Sequence, residues 1–85
     1  MPRSFEHMLQ YVSEQIEVPA QPRSLGSCVR AIAKMYATAY AMPGPADAME
    51  TIKREALERL GAENIARVES IADAWRTEEP WPRYR

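Results

Sequence analysis

The stretch SLGSCVRAIAKMYATAYAM, residues 24–42, decides the fold of this chain. On a helical wheel, Met42, Met35, Cys28, Ala39, Ile32, Leu25, Tyr36, Val29, Tyr40 and Ala33 fill an arc of roughly 200°. The remaining arc holds Ser27, Arg30, Lys34 and Thr38, with small alanines between them. A surface helix needs an apolar stripe only about half that wide. The helix, about 27 Å long at ~1.5 Å per residue, is therefore expected at the centre of a bundle, touched from several sides. Ser24 is its expected N-cap.

Working outward from it, VPAQPR (residues 18–23) cannot continue a helix, because two prolines lack the amide donor and restrict their predecessors. Before that linker, Ser4 can cap a helix whose stripe is Phe5, Met8, Leu9, Val12 and Ile16. On the other side, MPGP (residues 42–45) ends the central helix. Pro45 suits the first turn of the next one, with Asp47 and Glu50 near its positive end. The stripe there is Ala46, Met49, Ile52, Ala56, Leu57 and Leu60, and Gly61 is the expected left-handed stop. Asn64 then caps a fourth pattern with Ile65, Val68, Ile71, Ala72 and Trp75 facing inward, ending near Thr77. The prediction is an all-α fold: a compact bundle of about four short helices, with residues 1–79 forming one domain and 80–85 an extended C-terminal tail. Short connections make consecutive helices neighbours.

Composition narrows the function classes. With 12 acidic and 11 basic residues the formal charge is −1, which suits neither a general nucleic-acid binder nor an acidic mimic of one. A lone cysteine forms no intrachain disulfide, as expected in a reducing cytosol. No apolar run approaches the ~18 residues of a membrane span, so a soluble cytoplasmic protein is expected.

No residue set assembles an active site. His7, the single histidine, lies opposite the apolar stripe of its helix, and no HxxxH or Cys/His cluster accompanies it. Cys28 falls in the apolar arc of the central helix, where burial as a small apolar residue is expected rather than reactivity. The carboxylate pairs (Glu78–Glu79, Glu55–Glu58 and Glu69–Asp73) sit on polar faces, and no glycine-rich phosphate loop is present. The chain is therefore read as a non-enzyme without a cofactor or a metal. A small-ligand site would need a pocket among Met35, Met42, Tyr36 and Tyr40, positions that methionine more often fills as core.

What remains points to protein contacts. The tail EEPWPRYR (residues 78–85) carries Trp81, Arg83, Tyr84 and Arg85, the residue types enriched at binding hot spots. It packs back on its own domain or docks on a partner. Tyr11 lies outside its helix's stripe, touching the tail or exposed as an interface anchor, and Lys53 sits within the stripe of the third helix, its amine snorkelling to water or meeting an interface or a buried carboxylate. The expected function is a small protein-interaction module, an adaptor or an inhibitor that occupies a protein partner's surface. Pairing with a second copy through the broad face of the central helix is a variant of it. The rival is a helix-turn-helix-like DNA-binding regulator built on LERLGAEN, residues 57–64. Arg67 and Arg76 would serve it, but Glu63, Glu69 and Asp73 stand among them, so nucleic acid is the less expected partner.

Overall fold

The computed structural model describes residues 5–18 and 23–77. Its elements are α1 (Phe5–Gln15), α2 (Arg23–Ala41) and α3 (Ala46–Arg76), with no strand among the described residues. The all-helical class is as expected; the count is three rather than about four. The expected third and fourth helices run into one another as α3, which is kinked at Gly61.

The kink is a fold-back. Straight, α3 would hold Ala46 about 40 Å from Asp73 at ~1.5 Å per residue. Yet the Tyr40 hydroxyl reaches the Asp73 carboxylate (3.3 Å), and Tyr40 lies next to Ala41, the last residue of α2. The five residues from Ala41 to Ala46 span at most about 18 Å. The two arms of α3, residues 46–60 and 62–76, therefore turn toward each other. Gly61 makes this turn at φ 83° and ψ 159°. Its positive φ was expected, but this ψ belongs to a region that is essentially glycine-only rather than to the left-handed helical cap.

Side-chain links set the directions. Tyr36 and Tyr40 of α2 meet Glu69 and Asp73, each pair four residues further on, so α2 runs parallel to the second arm. Phe5 packs edge-on against Trp75 (ring centroids 5.3 Å), while Asn64 and Arg67 bond to residues 15–17, so α1 runs antiparallel to it. Helix α2 packs against both α1 and α3, as its broad apolar arc predicts, and the second arm packs against it. That arm buries Asn64, Ile65, Val68, Ile71 and Ala72.

Met8, Val12 and Ile16 of α1 are buried, as their spacing predicts, and Ala56 and Leu60 complete the core from the first arm. From α2 the core takes Ala33, Tyr36, Ala37 and Ala41. Alanines four apart let that helix approach closely. Other local expectations are corrected. Helix α2 starts at Arg23, so Ser24 lies inside its first turn, and Pro45, expected in the first turn of the next helix, is the N-cap of α3. Ser4 lies outside the described residues. Among those described, no helix is long and apolar enough to cross a membrane.

Candidate interaction surface

Helix α2 presents Ala33, Tyr36, Ala37 and Ala41 to the core and its two methionines to solvent. Successive residues turn by about 100°, so positions seven apart fall within about 20° of one line. Cys28, Met35 and Met42 form such a line. All three are exposed, Met35 by 50% and Met42 by 56%. Met42, one residue past the helix, stays in register because its amide donates to the Thr38 carbonyl (2.8 Å). The line points away from Ala33, Tyr36 and Ala37, which are fully buried. Ala31 and Thr38 beside it are exposed as well.

Burial of Cys28 is thereby overturned, although α2 does pack against both α1 and α3. The remaining elements cover only one side of an arc that the sequence makes apolar nearly all round. A pocket among Met35, Met42, Tyr36 and Tyr40 is also excluded, since the methionines face solvent and Tyr36 faces the core. Leu57, expected in the buried stripe, is 52% exposed on the first arm.

Two polar seams flank the second arm of α3. On the α2 side, the buried Tyr36 hydroxyl donates to Glu69 (2.5 Å), and Tyr40 donates to Asp73. Arg76 pairs with Asp73, donates to the Tyr40 carbonyl (3.3 Å) and lies over the Tyr40 ring, 4.9 Å from its centre. It thus places a cation at the carboxyl end of α2, where the helix dipole favours one. Burial, then the hydrogen bond and charge of Glu69, push the Tyr36 hydroxyl well above the usual tyrosine value. Tyr40 is raised in the same direction, first by desolvation and then by Asp73 and Glu69, with Arg76 opposing.

On the α1 side, Asn64 was expected to be an N-cap and serves another end. Its amide accepts from the Glu17 backbone N–H (3.3 Å) and donates to the Glu17 carbonyl (3.2 Å) and the Leu60 carbonyl (3.0 Å). Arg67 donates to the Gln15 carbonyl (3.4 Å) and pairs with Glu17 (3.0 Å) and Glu63 (3.4 Å). Helix α1 has no basic residue in its own last turn, and this pair supplies its C-terminal end from outside. The sequence reading missed the clasp; the only local hint was an asparagine and an arginine three apart beside a glycine.

Of the expected partner-binding residues, Tyr11 is half-buried against the core. With Gln15 it forms one wall of an open groove of about 450 Å³. Ala66, Arg67, Ser70 and Ile71 line the other. Lys53 is exposed on the first arm, four residues from the exposed Leu57. Trp81, Arg83, Tyr84 and Arg85 lie outside the described residues. Of the expected set, Tyr11 and Lys53 are thus the two whose places the structure describes, on α1 and on the first arm of α3. His7 is exposed. Among the described residues no three His, Cys, Asp or Glu side chains converge as metal ligands would, and no buried side-chain polar atom lacks a partner.

The Tyr36 seam makes stability depend on pH. The folded state holds the phenolic proton more tightly than the unfolded chain, whose ordinary value is 10.0. Its contribution is fully present below pH 10 and is lost as pH rises from there toward the folded-state value. Tyr36→Phe should cost about 0.5–1.5 kcal/mol at neutral pH. Urea unfolding at neutral pH and above pH 10 should show the gap between variant and wild type closing in alkali. A gap that widens there would refute the assignment.

Comparison with protein-family models, with curated proteins and with solved structures returned no match.

Proposed function

We propose that the chain is a small non-enzymatic protein-interaction module, an adaptor or an inhibitor that works by covering a protein surface. The observation that carries this reading is the exposed line of Cys28, Met35 and Met42. Single exposed apolar residues are ordinary on any protein, but large ones aligned along one helix form a patch, and patches mark contact sites. Arg30 and Lys34 are the only charged side chains of α2 between Ser24 and Ala41, and they lie about 140° and 100° round the helix from Met35. Nothing charged interrupts the patch.

The DNA-binding alternative draws no support from its two arginines. Both Arg67 and Arg76 are committed to carboxylates and backbone carbonyls within the fold.

The test replaces Met35 and Met42 together by glutamate. Wild type should associate stoichiometrically, with another protein in an affinity capture or with itself in sedimentation, and the double variant should lose that association while keeping its helical circular dichroism. A wild-type protein that neither captures a stoichiometric partner nor self-associates overturns the reading.

A further inference from the structure

We infer that residues 78–85 lie back along the groove between α1 and the second arm, with Trp81 seated against Tyr11 and Ser70. This surface is separate from the α2 face, and its occupant does not depend on what covers that face.

The chain leaves the second arm directly over the groove. Thr77, the C-cap of α3, lies seven residues past Ser70 and eleven past Ala66. At about 100° per residue, each of those two falls within about 20° of the Thr77 line. Both line the groove, and both also line a second open hollow that continues it as far as Thr77.

Length and register fit as well. Pro80 and Pro82 bar a helix and favour an extended course of about 3.1 Å per residue. Four residues carry Trp81 up to about 12 Å from Thr77, and Ser70 lies about 10.5 Å back along the helix. Eight carry Arg85 up to about 25 Å, and Glu63 lies about 21 Å back. On the other wall, α1 runs antiparallel, with Phe5 at Trp75 and Gln15 at Arg67, which sets Tyr11 near the level of Ser70. Trp81 thus arrives where Tyr11, Ala66, Ser70 and Ile71 converge. The groove's volume of about 450 Å³ falls in the range of sites that bury whole small ligands, so an indole fits it.

Charge complements the order of the segment. At the far end, Arg67 stands between Glu17 and Glu63, and the exposed Glu14 adjoins the groove-lining Gln15. Three carboxylates against one guanidinium leave an excess of two negative charges, and Arg83 and Arg85 bring two positive ones there. Glu78 and Glu79 stay at the opposite end, next to Arg76 in the chain. A foreign peptide of the same chemistry would compete poorly, because a short tether holds this one at an effective concentration on the order of millimolar.

Thermal unfolding of full-length variants tests the strap. Ser70 is exposed and lysine is a good helix former, so over a bare groove Ser70→Lys should barely move the melting temperature. With the strap in place, Ser70→Lys and Trp81→Ala should each lower it by about 4 °C or more. The double variant should lose no more than the larger single loss, because both remove one contact. Losses that add in full, or Trp81→Ala melting as wild type does, overturn the strap. A wild-type advantage that fades on dilution places the segment in the groove of a second copy, and overturns it too. So does unchanged melting of Trp81→Ala with loss of a captured protein, which makes residues 78–85 a docking arm for a foreign partner.

Discussion

Met8→Ala is expected to destabilise the fold by about 2–5 kcal/mol, the usual range for emptying a fully buried methionine site. Met8 is completely buried and is among the largest side chains in the core with no solvent contact. It anchors α1 together with Val12, Ile16, the Phe5–Trp75 ring contact and the clasp at the C-terminal end of the helix. A domain of this size has only about 4–13 kcal/mol of stability, so the loss takes a large share of it. At about 4–8 °C per kcal/mol, the melting temperature should fall by at least about 8 °C. Met8→Leu, which keeps the volume, should cost under about 1.5 kcal/mol. Denaturant unfolding followed by far-ultraviolet circular dichroism measures both variants. Equal losses would mean that the site does not require a large apolar side chain.

Gly61→Ala is the second large effect, and it acts through the backbone alone. A methyl at residue 61 would meet no atom within 4 Å, so no clash enters the sum. What it meets is the torsional barrier at φ 83° and ψ 159°, where a side chain costs about 1–3 kcal/mol. Either the chain bears that strain or the arms of α3 open, and opening exposes Ala56, Leu60 and Ile65. Gly44 provides the control. It too has open space around it, but no positive φ, so Gly44→Ala should be neutral or stabilise by up to about 1 kcal/mol through the unfolded chain. Thermal unfolding of the pair should separate them by roughly 4 °C or more. If Gly61→Ala melts no lower than Gly44→Ala, the fold-back does not depend on glycine.

The helical spans were legible because breakers and stripes agree. Proline and glycine clusters bracket each pattern, and Met8, Val12, Ile16, Val68 and Ile71 went inside as their spacing requires. Three things were not legible, each for a physical reason. The width of the apolar arc on α2 says how much of that helix tolerates burial, not which part is covered. Alanine packing decided that: Ala33, Ala37 and Ala41 bring helices close, and the bulkier Met35 and Met42 are left outside. The role of Asn64 depends on a helix end 47 residues away, which no local pattern contains. Gly61 was readable as a positive-φ residue, but the sense of the turn it makes depends on ψ, which composition does not encode. Of the candidate site, Tyr11 and Lys53 were named, and the solvent-facing line of α2 was mistaken for core.

The clasp at Asn64 and Arg67 also bears on the order in which the molecule is made. Helix α1 leaves the ribosome before α2 and α3, yet the groups that satisfy its C-terminal carbonyls arrive 47 to 52 residues later, and the aromatic partner of Phe5 is Trp75. Short isolated helices are marginal in water, so α1 gains little by forming early. The N-terminal segment should therefore dock last, onto a hairpin of α3 and its α2 neighbour already in place. Synthesis has to run past Trp75 before α1 can find all of its partners.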